Sequence, residues 1–147
     1  MYQKQFFAGW GDVDFNAHMK NTAYLDKAVD VRMMYFAENG FPISEFMRRK
    51  IGPVVRTDEL EYFREVYLLE EIKVDLAVAS LSVDGGRFSI RNTFYRADGQ
   101  VAAKVLTSGG WLDLTARKLV AAPAELLKIL TEAPRSEDFR TIEKTVK

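Results

Sequence analysis

The spacing of apolar and polar residues changes several times along the chain, and each change predicts an element. From Thr22 to Glu38 there is no Pro or Gly. Ala23, Tyr24, Leu25, Ala28, Val29, Val31, Met33, Met34, Phe36 and Ala37 spread around most of a helical circumference. This predicts a long helix buried on several sides, with Asp26, Lys27 and Asp30 on its least buried face and Asn39-Gly40 as its stop. Asn21 or Thr22 is placed to cap its start. Downstream the period falls to two. Ile72, Val74, Leu76 and Val78 alternate with Lys73, Asp75, Ala77 and Ala79, and Phe88, Ile90, Asn92 and Phe94 alternate with Ser89, Arg91, Thr93 and Tyr95. Asp84-Gly85-Gly86 and Asp98-Gly99 are hairpin signals beside those runs. One long strand is expected over Val54 to Tyr67 and another over Val101 to Leu114, where Gly109-Gly110 marks a bulge or a close backbone approach. The aromatic stretch 2–9 predicts a first strand, and 11–21 is polar and turn-like. Pro42 to Lys50 predicts a short helical turn, and Thr115 to Lys118 reads as a turn. Pro123 opens a terminal helix through Leu130.

One strand, one long apolar helix, four antiparallel strands and a terminal helix predict an α+β domain. An antiparallel sheet wrapped around a central helix is one such arrangement among several. Residues 1–133 are expected to form it, with 134–147 as a charged C-terminal extension on the surface. The 147 residues suit a single domain with a core of its own.

Composition narrows the function classes. The 21 basic and 21 acidic residues balance, so the basic excess of a nucleic-acid binder is missing. With no Cys and one His, cysteine nucleophiles, cysteine zinc sites and a three-His metal site within one chain all drop out. No metal or cofactor is expected. The N-terminal residues lack the pattern of a secretion signal, and no apolar run approaches the roughly 18 residues of a membrane span. A soluble, cytoplasmic protein without membrane partners is the expectation.

Candidate chemistry concentrates ahead of the long helix. Asp14, Asn16 and His18 occupy alternate positions, and in an extended loop they would point to one side. Asn21 and Tyr24 follow at the helix entrance. The first N–H groups of the helix have no partners within it and carry partial positive charge, which suits a polarised carbonyl. A carboxylate beside them serves as general base toward water or as a nucleophile. Each residue also has a plainer reading: Asp14 and Asn16 in a turn, His18 as a structural histidine, Asn21 as a cap, Tyr24 in the core.

The stretch from Trp10 through Tyr24, with Asp14, Asn16, His18 and Asn21 spaced Asp-x-Asn-x-His then Asn, resembles the signature of the 4-hydroxybenzoyl-CoA thioesterase-like hotdog family. It is also similar to the acyl-ACP thioesterase branch. The aspartate pair in Gly11-Asp12-Val13-Asp14 resembles the bacterial acyl-CoA branch, where the second is catalytic. The likeness continues through Val54–Tyr67 and from Trp111 to Pro123. It implies a single hotdog domain that hydrolyses an acyl-CoA to free acid and CoA, so CoA is part of the substrate and no separate cofactor is needed. Asp14 would be base or nucleophile, His18 and Asn16 would position water or the carboxylate, and Asn21 and Tyr24 would touch substrate. Backbone at Ser108 and Gly109 would meet the pantetheine arm. The resemblance further implies a homodimer, or a tetramer built from it, with each site at a subunit interface.

The sequence departs from that pattern in two ways. Some acyl-CoA thioesterases carry His where this chain has Asn21, and plant acyl-ACP enzymes add a second hotdog repeat. Hydrolysis of acyl-ACP, hydration of an enoyl thioester and acyl binding without turnover are the alternatives.

Overall fold

The computed structural model describes residues 1–146. The chain runs β1 (Tyr2–Phe7), one 3-10 turn (Trp10–Asp12), α1 (Asn21–Glu38), α2 (Ile43–Arg49), β2 (Ile51–Tyr62), β3 (Glu71–Ser82) and β4 (Arg87–Tyr95). It continues with β5 (Val101–Asp113), β6 (Lys118–Val120), α3 (Ala124–Glu132) and β7 (Arg135–Ile142). The main sheet has the strand order β1-β3-β4-β5-β2, all antiparallel, with β6 added to β5. β7 pairs parallel to β3. The architecture is α+β: one sheet packed on one long helix, in a single hotdog domain.

Period-two patterning puts Ile72, Val74, Leu76 and Val78 of β3 and Ile90 and Phe94 of β4 into the core opposite α1. From α1 itself, Ala23, Tyr24, Ala28, Val31, Tyr35 and Phe36 are buried, a stripe at i, i+4, i+7 spacing. The helix is not enclosed on all sides. Val29 and Met34 are exposed, at the two margins of the face that carries Asp26 and Asp30. Trp111 of β5 lies beneath α1 and α2. Its ring stacks on Phe46, approaches Phe88 and Phe36, and its indole N–H donates to the Gly85 carbonyl at 2.9 Å.

Several boundaries differ from the sequence reading. The strand expected through Tyr67 ends at Tyr62, because the N–H groups of Phe63 and Arg64 both turn onto the Ala102 carbonyl. α1 begins at Asn21 with Lys20 as its cap residue, and no side chain caps it. Residues 118–120 and 135–142 form strands where a turn and a surface extension are expected. β7 has an exposed-polar pattern, and edge pairing with β3 orders it rather than burial of an apolar face.

The Gly109-Gly110 signal has a concrete cause. Val55 pairs with Gly109 and Thr57 with Ser108, which leaves Arg56 as an extra residue in β2. A Cβ on Gly109 would collide with the Val54 carbonyl oxygen, which is backbone and cannot move aside cheaply. Gly109→Ala is therefore expected to cost about 1–3 kcal/mol of stability. A denaturant titration checks this, and a midpoint equal to wild type would contradict the close approach.

Candidate active site

The loop ahead of α1 closes on itself. Val13 and Met19 form a β-bridge, the Asp14 N–H donates to the His18 carbonyl at 2.9 Å, and the Ala17 N–H donates to the Asp14 carbonyl at 2.9 Å. Ala17 takes a positive φ of 62° to make the reversal, which its single methyl group tolerates. The Asp14 side chain completes the turn: Oδ1 accepts from the Asn16 N–H at 2.9 Å and from the His18 N–H at 3.3 Å. Oδ2 accepts no hydrogen bond among the described residues. One oxygen of the carboxylate thus shapes an Asx-type turn, as the plainer reading of Asp14 expects, and the other is not engaged in it.

The extended loop predicted by alternate spacing does not form. The tight turn brings Asp14 and His18 to one pocket of about 340 Å³, and Asn16 is not part of its wall. Met19 from the loop, Tyr24 from α1 and Tyr62 through Glu65 from the end of β2 complete the lining. Asn21 is exposed at the first position of α1 and does not line the pocket; nor do Ser108 and Gly109 on β5, which pair with Thr57 and Val55 of β2.

The loop is zipped to the segment after β2. The Met19 N–H donates to the Val66 carbonyl at 2.8 Å, the Leu68 N–H donates to the Ala17 carbonyl at 3.0 Å, and His18 bridges Tyr67. This pairing places Glu65 beside His18. Glu65 Oε2 lies 3.3 Å from His18 Nε2 and accepts from the Tyr67 hydroxyl at 3.4 Å, while the Tyr67 ring meets the imidazole edge-on with centroids 4.9 Å apart. The imidazole is therefore held from two sides. Sequence reasoning missed Glu65. Its only local signal is a charged pair, Arg64-Glu65, directly after the aromatic pair Tyr62-Phe63. The pairing that makes it relevant is long-range.

Asp12, the first aspartate of the pair, has a different task. Its Oδ2 accepts from the Gly9 N–H at 2.8 Å and lies 3.0 Å from Lys27 Nζ, tying the 3-10 turn to α1. Burial works against its ionisation, but the Gly9 N–H and the Lys27 ammonium outweigh it and hold the carboxyl below its ordinary range. Tyr24 forms the pocket floor, only 2 % exposed and edge-on to Tyr62 and Phe94. Burial, reinforced by Tyr62 and the carboxylates of Glu70 and Glu65, pushes its phenol up to about 12, so it stays neutral at ordinary pH. α1 starts two residues after Met19 without a side-chain cap; the Ala23 N–H donates to the Lys20 carbonyl at 3.0 Å, and among the described residues the N–H groups of Asn21 and Thr22 have no partner.

Residues 8–130 match the family model described as the thioesterase-like superfamily. The chain belongs to that superfamily. Its enzymatic class is thioester hydrolase. Solved structures share the fold at low identity. YbaW, a probable thioesterase of Escherichia coli, is 22 % identical with a TM-score of 0.75, over 92 % of this chain and 100 % of that one. The 1,4-dihydroxy-2-naphthoyl-CoA thioesterase of Synechocystis is 12 % identical with a TM-score of 0.80, over 89 % and 96 % of the two chains. A Staphylococcus aureus hypothetical protein solved in complex with CoA is 17 % identical with a TM-score of 0.80, over 92 % and 87 %. A search of curated protein sequences finds no match. Among the described residues, no helix is long and apolar enough to cross a membrane.

Proposed function

We propose that this superfamily member hydrolyses acyl-CoA thioesters in the pocket between the 13–19 loop, the start of α1 and the end of β2. The observation that carries the reading is the convergence of Asp14, with one free carboxylate oxygen, and the Glu65-held His18 on one pocket beside an uncapped helix start. The CoA-thioester activity named for the Synechocystis neighbour and the CoA bound by the Staphylococcus neighbour favour CoA as the carrier.

With the thioester carbonyl directed at the first N–H groups of α1, charge developing on its oxygen is stabilised by donors already in place. Asp14 Oδ2 then either takes a proton from water as the oxygen of that water bonds to the carbonyl carbon, or attacks the carbon itself to form an anhydride that water opens. In both routes the C–S bond breaks, the thiolate leaves and is protonated, and free acid and CoA result. His18 orients the water or the carboxylate, and Glu65 positions His18. Asn16 supports the turn through its backbone, Asn21 starts the helix, and Tyr24 shapes the pocket floor.

The protein acts as a homodimer in this reading. β2 is the outer strand of the main sheet path, paired among the described residues only with β5, and exposes Val55 and Tyr62. α1 exposes Val29 and Met34. An unpaired edge beside uncovered apolar surface suits a second copy of the chain. Ser108 and Gly109 would then serve a pantetheine arm passing between subunits. Sedimentation equilibrium is expected to give twice the chain mass, and a monomer at micromolar concentration would contradict the dimer.

Two kinetic results test the reading. Thiol release, followed with a disulfide dye over acyl-CoAs from acetyl to palmitoyl plus benzoyl and 4-hydroxybenzoyl, is expected to show turnover on at least one; silence on all of them would sink the CoA assignment. Glu65→Gln is expected to lower kcat about tenfold with little change in KM, the scale of losing one close carboxylate–imidazole contact. An unchanged kcat would remove Glu65 from the site.

A further inference from the structure

β7 lies outside the residues that match the family model, which end at 130. None of its residues is buried, and four of the eight are charged: Arg135, Glu137, Asp138 and Arg140. Core burial therefore does not account for its order, whereas its place in the sheet does. β3 has β4 on one side, and its other edge is divided between two strands. β1 pairs with Glu71 through Leu76, and β7 runs parallel to β3 from Val78 to Ser82. The Val78 N–H donates to the Pro134 carbonyl at 2.8 Å. This part of the edge lies within Leu76-Ala77-Val78-Ala79-Ser80-Leu81-Ser82-Val83, a run with no charge, Pro or Gly. Uncharged, β-prone runs of this kind on an open edge accept further strands.

β7 itself is a poor template for another strand. Residues 136–139 stand against the single residue Ala79, between the Val78–Arg135 and Ser80–Arg140 pairs, and this bulge interrupts the ladder. Asp138, within the bulge, reaches across to Arg91 of β4, with Oδ1 2.8 Å from Nη1 and Oδ2 3.1 Å from Nη2. The Arg135 guanidinium sits over the Phe139 ring, 4.1 Å from its centroid. Beyond β7 the Val146 N–H donates to Asp84 Oδ2 at 3.1 Å, which fastens the segment to the β3–β4 turn. We infer that β7 is an edge guard: it fills, from within its own chain, a strand-accepting edge of β3 that otherwise takes an extended strand of a second copy. The inference does not depend on the thioesterase reading. It complements the dimer proposed through β2, because two different open edges on each copy would join head to tail into open-ended chains.

The test combines hydrogen exchange with sedimentation velocity on the full chain, in Asp138→Arg and in Asp138→Arg with Thr141→Pro. The first substitution sets like charges at Arg91, and the second also removes an N–H from the position paired with Leu81. Both positions are exposed, so neither change opens the core. Exchange over residues 76–83 is expected to be at least about tenfold faster than in wild type, with β5 protected as before. Species heavier than wild type are expected to appear and to grow with protein concentration. Faster exchange along this edge at the wild-type mass, at every concentration, would overturn the inference, since an open edge would then take no second copy. Unchanged exchange over 76–83 in the double variant would overturn it as well, because the edge would be closed without β7. Asp138→Arg alone, which leaves the backbone ladder its donors, decides the matter if the double variant also loses protection in β5. Thioester turnover enters none of these readouts, so failure of the hydrolase reading leaves the guard standing and failure of the guard leaves the hydrolase.

Discussion

Asp14→Asn is expected to lower turnover on the best acyl-CoA by at least about two orders of magnitude, the scale of losing a general base. The substitution is informative because it separates the two oxygens' roles. The amide's own oxygen still accepts the Asn16 and His18 N–H groups that shape the turn. The free position Oδ2 becomes an NH₂ that neither takes a proton from water nor attacks a carbonyl carbon. Loop geometry and fold therefore survive while the chemistry stops, and the thermal midpoint is expected to stay close to wild type. A folded Asp14→Asn protein with wild-type turnover would assign the chemistry elsewhere. His18→Ala is expected to cost less, because His18 acts on the water or the carboxylate and not on the bond that breaks. An equal loss would move the primary role to the imidazole.

The largest stability effect is expected at Trp111. Trp111→Ala removes a fully buried ring that ties α2 to β5 through Phe46 and β5 to the β3–β4 turn through the Gly85 carbonyl. The expected cost is about 3–5 kcal/mol for a buried Trp truncated to Ala. In a chain of this length that corresponds to a thermal midpoint lower by on the order of 10 °C. Trp111→Phe separates packing from hydrogen bonding. It keeps most of the aromatic contact but leaves the Gly85 carbonyl without its donor, at an expected cost of about 1–3 kcal/mol. A Trp111→Ala protein as stable as wild type would mean that this cluster does not anchor the sheet.

The fold was legible where burial is periodic. The α1 stripe, the β3 and β4 alternation and the Asp-Gly turns are local patterns, and local patterns survive folding. β6 and β7 were not legible. One is three residues long, and the other is charged and ordered by pairing with β3. The apolar circumference of α1 predicts burial on several sides, yet Val29 and Met34 stand exposed; a pattern records that a position is apolar, not whether it is covered. At the site, Asp14, His18 and Tyr24 are close in sequence and meet in space. Asn16 shares their spacing but leaves the pocket wall, because its neighbour's carboxylate folds the loop into a turn. Glu65 lay beyond reach, since the bridge between His18 and Tyr67 joins segments distant in sequence.

The central claim is that this pocket hydrolyses acyl-CoA and does more than hold it. A single-turnover experiment tests it most directly: wild-type protein in excess over its best acyl-CoA, with the products separated after mixing, beside Asp14→Asn under the same conditions. The account predicts complete conversion to free acid and CoA by wild type and intact acyl-CoA with the variant. Acyl-CoA that remains intact with wild type, or is released equally by both proteins, would contradict it.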